Sequence, residues 1–149
     1  MTATAKQPKQ TPKPEPIKPD PNGIPDELKQ LEQWIVWKLA QRGEKWTKPP
    51  YNARTLKAAK VNDPSTWATF DEAWSAYSKG GWDGIGLVLK PDADLVAFDI
   101  DHCLQDGEIN PDAAGMVMAL GTYAERSPLD GLRALAFGMR RGDVIGIAR

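Results

Sequence analysis

The chain has 149 residues, 41% of them hydrophobic, which suits one folded domain with a modest core. Its nineteen Lys and Arg against twenty Asp and Glu leave a net charge of −1, so any nucleic-acid surface must be a local patch. The lone Cys103 excludes an internal disulfide or a cysteine-cluster zinc site, and no apolar run approaches a membrane helix or signal peptide, so a cytoplasmic protein with no membrane partner is expected.

Residues 1–22 are rich in proline (Pro8, Pro12, Pro14, Pro16, Pro19, Pro21) and lysine (Lys6, Lys9, Lys13, Lys18). With Ile17 the one sizeable aliphatic residue after Met1, this stretch has no face to bury and reads as a disordered, polyproline-like arm. Residues 23–149 are then the folded domain. Pro25 followed by Asp26, Glu27, Leu28 and Leu31 marks a short helix start, with acids at the positive end of its dipole. In the next apolar run Trp34 and Val36 share one side of a strand, while Ile35, Trp37 and Leu39 share the other, and both faces are expected to be covered. Gln41 to Glu44 reads as a turn, and Trp46, Lys48, Pro49, Pro50 and Tyr51 as an irregular, aromatic and basic stretch. With Arg54, Lys57 and Lys60 following, this is the most basic part of the fold and a candidate contact for nucleotides or a template strand.

Asp63-Pro64 resembles an N-cap opening a single turn that places Trp67. Thr69 and Glu72 have the spacing of a capping box, and Phe70, Ala73, Trp74 and Tyr77 form an apolar stripe of a helix that ends at Gly80-Gly81. That aromatic stripe is assigned to packing rather than to base stacking. Residues 85–89 and 95–101 read as two strands joined through Pro91, Asp92, Ala93 and Asp94, and a hairpin is expected. On the second strand the period of two puts Val96, Phe98 and Ile100 on the buried face and Ala97, Asp99 and Asp101 on the other. Two like charges projecting together stay ionised most cheaply around a divalent cation, which makes Asp99 and Asp101 candidate ligands of magnesium or manganese. Acids at a strand end also start turns or sit in solvated hairpins, and the pair alone does not decide between these readings. His102 is either a further ligand at the same rim or a surface imidazole with a local hydrogen bond. Asn110-Pro111 caps a helix running through Leu120 to Gly121, with Met116, Val117 and Leu120 on its packing side. These elements make an α+β fold, a mostly antiparallel sheet with packed helices.

Five runs occur together in order: Trp34 to Trp37; Lys48-Pro49-Pro50-Tyr51-Asn52; Asp63 to Trp67; Asp83-Gly84-Ile85-Gly86; and Phe98-Asp99-Ile100-Asp101-His102-Cys103. Over roughly Trp34 to Arg133 they resemble the bifunctional DNA primase/polymerase domain of phages and mobile plasmids, of the archaeo-eukaryotic primase superfamily. The resemblance implies DNA replication by nucleotidyl transfer, with Asp99 and Asp101 as catalytic metal ligands. Nucleoside triphosphates, a single-stranded DNA template and a replicative helicase are its implied partners. Residues 123–128 and Gly131-Leu132-Arg133 resemble the family's second motif, which implies that Ser127 and Arg133 contact the incoming phosphates, with Lys48 and His102 as further nucleotide-binding candidates. Two departures stand out: Leu129-Asp130 makes the intervening turn one residue shorter, and Ile145 stands where the third motif supplies another acid, with Asp143 nearby. The chain also stops at Arg149, before the remaining strands of such a domain. The expectation is a truncated, frameshifted or degenerate relative that binds nucleotide or DNA in a salt-sensitive way and synthesises little. A catalytically inactive nucleic-acid- or partner-binding remnant is the alternative.

Overall fold

The computed structural model describes residues 11–91, 95–127 and 131–137. Its centre is β1 (Trp34–Trp37), whose side chains are all buried because they feed two different cores. Trp34 and Val36 join Ile24, Leu28, Phe70, Ala73 and Ala76, whereas Ile35 and Trp37 join Leu39, Ala59, Trp67 and Val88. Burying three indoles requires partners for their N–H groups. Trp34 donates to the Leu28 carbonyl at 3.1 Å, Trp37 to Ile85 at 2.9 Å and Trp67 to Lys60 at 2.8 Å.

The helix α1 (Asp26–Lys29) is one turn long. The expected turn and irregular stretch are more regular than their composition suggests. Ala40–Arg42 (β2) and Lys45–Thr47 (β3) pair as a hairpin across Gly43, at φ +63°, and Pro50–Tyr51 (β4) pairs with β1. Trp46 fits there because the edge of a hairpin accepts a bulky residue, and its indole donates to the Thr11 carbonyl at 3.1 Å. A single 3-10 turn (Pro64–Thr66) is capped by Asp63, and α2 (Phe70–Ser78) carries both halves of the Thr69/Glu72 capping box. Phe70 meets Trp34 edge-on with ring centroids 5.0 Å apart, which seats α2 on β1. Ala76 is buried in that helix while Trp74 and Tyr77 are half-buried, so the packing stripe is narrower than the aromatic pattern suggests.

The expected hairpin between the next two strands does not form. Gly84–Leu87 (β5) lies antiparallel to β1, and Leu95–Asp101 (β6) lies antiparallel to Gly131–Phe137 (β10), which also pairs with Tyr123–Ser127 (β9). The sheets are therefore β4-β1-β5 and β6-β10-β9. Hydropathy marks a strand but does not name its partner. Here β6 finds a register of seven residues with β10, and the end of β5 is tied to β1's entry by Val88 N–H to the Gln33 carbonyl and Gln33 Nε2 to the Val88 carbonyl, both 2.7 Å.

The buried face of β6 also needs correction. Leu95, the most buried residue of the strand, and Ala97 lie on the same side as Asp99 and Asp101 and join the β1 core with Tyr123. On the opposite side Ile100 packs with Leu132, Cys103 and α3 (Pro111–Leu120). Both faces are thus apolar for part of their length. In α3 it is Ala113 that is buried with Val117 against it, whereas Met116 is exposed. Asn110 caps the helix and Gly121 ends it in the left-handed conformation at φ +58°. A short hairpin of Leu104–Gln105 (β7) and Glu108–Ile109 (β8) connects β6 to α3.

These are few, short helices against several antiparallel ladders, an α+β fold. Residues 11–20 carry no regular secondary structure and lie on the domain, where Lys13 Nζ meets Asp83 at 3.2 Å. The residues 1–10 of the arm, Asp92 to Asp94 of the linker, and Pro128, Leu129, Asp130, Arg140, Arg141, Asp143 and Ile145 fall outside the described residues.

Candidate functional site

Register places the site. Asp101, Gly131 and Ser127 form one row across β6, β10 and β9, and Asp99, Arg133 and Glu125 form the next. A third row, Ala97 beside Leu135 beside Tyr123, leads back toward the core. The polar rows therefore begin where the apolar ones stop, and both acids are exposed while Leu95 on the same strand face is buried. Alternation along one strand puts the two carboxyl groups about 7 Å apart at their Cα atoms.

Arg133 clasps Asp99 at both oxygens, Nε donating to Oδ1 at 2.7 Å and Nη2 to Oδ2 at 3.3 Å. Gly131 lies close to the β6 backbone: a Cβ there would stand 3.1 Å from the Ile100 carbonyl oxygen, with Asp101 Oδ1 at an ordinary contact distance of 3.5 Å. Lys48 reaches the same rows from the segment between β3 and β4. Its ammonium lies 3.5 Å from Ser127 Oγ and 5.4 Å from the centre of the Trp37 ring. Although the residue as a whole is exposed, this crowding desolvates the ammonium, and the nearby Arg133 charge adds to that, holding Lys48 below the usual lysine range against the opposing pull of Glu125 and Asp99. Tyr123 donates to Glu125 at 3.0 Å, and burial together with that carboxylate pushes the phenol well above its ordinary value.

These groups line a cleft of about 940 Å³ between the two three-stranded sheets. Lys48, Asp99, Asp101, Ser127 and Arg133 all face it, and Ile17, Lys18 and Asp20 of the arm line it too. Its size lies in the upper part of the range for small-molecule sites. His102 does not line it: at φ +52° the residue turns the chain out of β6 and is exposed. Arg54 lies elsewhere, held 2.8 Å from Glu72. Glu125 and Trp37 belong to the site's surroundings but were not identified from sequence. The period of two in Tyr123, Glu125 and Ser127 was the available signal for Glu125, whereas the contact of Trp37 with Lys48 has no local signature.

Among the described residues no three His, Cys, Asp or Glu side chains converge as a metal-binding group. Asp99 and Asp101 are the residues that would hold magnesium, in the mode that uses one or two carboxylates together with substrate phosphates. The donor set, two hard carboxylate ligands beside two cations and a hydroxyl, fits that mode better than an all-protein cage. No helix among the described residues is long and apolar enough to cross a membrane.

No protein-family model matches the chain. It is similar to the DNA Primase-polymerase of Nitratiruptor phage NrS-1, with 33% identity over 114 residues, or 74% of this chain. The chain spans 15% of that relative's length.

Proposed function

We propose that the chain carries part of a DNA primase/polymerase domain, performing metal-dependent nucleotidyl transfer on a nucleoside triphosphate along a single-stranded DNA template. The observation that supports this most is the convergence on one cleft of two strand-end carboxylates, two cations and a hydroxyl. Similarity to a phage DNA primase-polymerase over most of the chain supports the same reading.

In this reading Lys48 and Arg133 attract the triphosphate, and Ser127 donates a hydrogen bond to it. Asp99 and Asp101 would hold magnesium or manganese, which when bound neutralises charge on the phosphates. The primer's 3′ hydroxyl loses its proton to solvent as its oxygen attacks the α-phosphorus, the bond from that phosphorus to the β-phosphate oxygen breaks, and pyrophosphate leaves. The protein's part is positioning and electrostatics, with no protein nucleophile. Residues 23–149 act as the domain and residues 1–22 as its arm.

A second reading, a nucleic-acid-binding relative without turnover, rests on Ile145 where the family resemblance expects an acid. Primer extension with manganese and deoxynucleotides, run beside Asp99→Asn, tests both. Slow extension with pyrophosphate release, lost in the variant, is expected. Binding without extension would favour the second reading, and release of inorganic phosphate would assign a hydrolase instead.

A further inference from the structure

Arg133 sits on the carboxylate that the proposed chemistry needs. The two residues are directly opposite in the β6/β10 register, and the guanidinium occupies both Asp99 oxygens, at 2.7 and 3.3 Å. A two-point grip of this kind uses the lone-pair directions that a hard cation would take. On its other side Arg133 is paired in register with Glu125, and Lys48 comes close enough for the two cations to repel. The guanidinium is thus held by Asp99 but crowded by Lys48, in a cleft wide enough for a triphosphate.

We propose that Arg133 is a positioning residue that masks Asp99 until a nucleoside triphosphate draws it away, so that metal and triphosphate bind as a coupled pair. This rests on the reading of Asp99 as a metal ligand. A guanidinium fork matches a phosphate as well as a carboxylate, so the exchange costs Arg133 little geometry. The freed Asp99 oxygens would then be available to hold a cation beside the bound phosphates. By linkage, triphosphate raises the affinity for metal by the same factor as metal raises the affinity for triphosphate. Without triphosphate, metal binding is weak because it competes with an ion pair, a restraint that guards the acids against stray cations.

Manganese titration followed by electron paramagnetic resonance, on the intact chain, tests this. Arg133→Gln should tighten manganese alone about fivefold, the factor that an ion pair near the top of the partly exposed range represents. It should also weaken deoxyadenosine triphosphate, measured in chelator without metal, by a similar factor. Arg133→Lys, which keeps the charge but cannot grip both oxygens, should tighten manganese by a smaller factor. A merely structural role for Arg133 would weaken both ligands together. Manganese binding that is unchanged or weaker in both variants, with circular dichroism matching the parent, overturns the proposal while leaving the metal site standing. Manganese binding that is unaffected by Asp99→Asn would instead remove the metal-site reading, and this proposal with it.

Discussion

Gly84 has no room for a side chain. It stands opposite Trp37 in the β1/β5 register, and a Cβ there would lie 2.3 Å from Trp37 Cζ2, 2.5 Å from Cε2 and 2.8 Å from Nε1. The indole cannot swing away freely. Its Nε1 donates to the Ile85 carbonyl at 2.9 Å, and the ring is 8% exposed within the core of Ile35, Leu39, Trp67 and Val88. Gly84→Ala must therefore move Trp37 or bend β5. Overpacking of this kind costs about 1–3 kcal/mol, and a lost hydrogen bond adds on the order of 1 kcal/mol. For a domain of this size that is a fall in Tm of roughly 5–15 °C. Gly115 is the internal control: it lies within α3, and nothing stands within 4 Å of an added Cβ. Gly115→Ala should be neutral or stabilise by about 0.5–1 kcal/mol, because alanine loses less backbone entropy in a helix than glycine. Thermal unfolding by circular dichroism, with urea titration as a second measure, compares the two variants. A Gly84→Ala protein as stable as its parent would refute the close approach of Trp37 and with it the perch of Lys48 over that ring.

Three further outcomes follow from the same geometry. Thr69→Ala should cost about 1 kcal/mol in urea unfolding, because the capping-box hydroxyl accepts from Glu72 N–H at 3.2 Å. Glu72 is lowered from 4.5 to about 2, chiefly by the Arg54 hydrogen bond and then by the Thr69 backbone, so the stability it contributes is present above its unfolded value and lost as pH falls from about 4.5 toward 2. Glu72→Gln should flatten that acid limb; the effect is small and salt-sensitive, since the carboxylate is 40% exposed. Lys48→Met should leave stability unchanged or slightly raised but weaken triphosphate binding and reduce its salt dependence, measured by fluorescence titration at two ionic strengths. Because Lys48 is lowered in the fold, the unfolded chain holds its proton more firmly, so the parent should gain stability as pH rises through the folded value toward 10.5, a gain that Lys48→Met lacks.

The elements best legible in the sequence are those whose cause is local. The bounds of β6, the Thr69/Glu72 box, and α3 from its Asn110 cap to Gly121 follow from alternation, capping chemistry and a glycine at φ +58°, all within a few residues. Pairing was not legible in the same way, since β6 joins a partner more than thirty residues away rather than β5, and only register reveals that. That nonlocal register also governs the site. Asp99 and Asp101 share a strand face by period alone, but their neighbours Arg133, Glu125, Gly131 and Ser127 come from two other strands, and Lys48 from the segment between β3 and β4. His102 is next to the acids in sequence yet turns away at φ +52°, a conformation that strand periodicity does not encode.

The proposed role of Asp99 and Asp101 is to hold a metal ion beside a triphosphate in this cleft. The most direct measurement is calorimetric titration of a deoxynucleoside triphosphate into the intact chain with and without manganese, repeated with Asp99→Asn/Asp101→Asn. Binding in the parent should tighten on adding manganese. In the double variant the metal-dependent increment should disappear while the fold is retained, at a cost of no more than about 1 kcal/mol for the lost, partly exposed Arg133–Asp99 ion pair. Triphosphate binding that tightens with manganese equally in the parent and the double variant would contradict it.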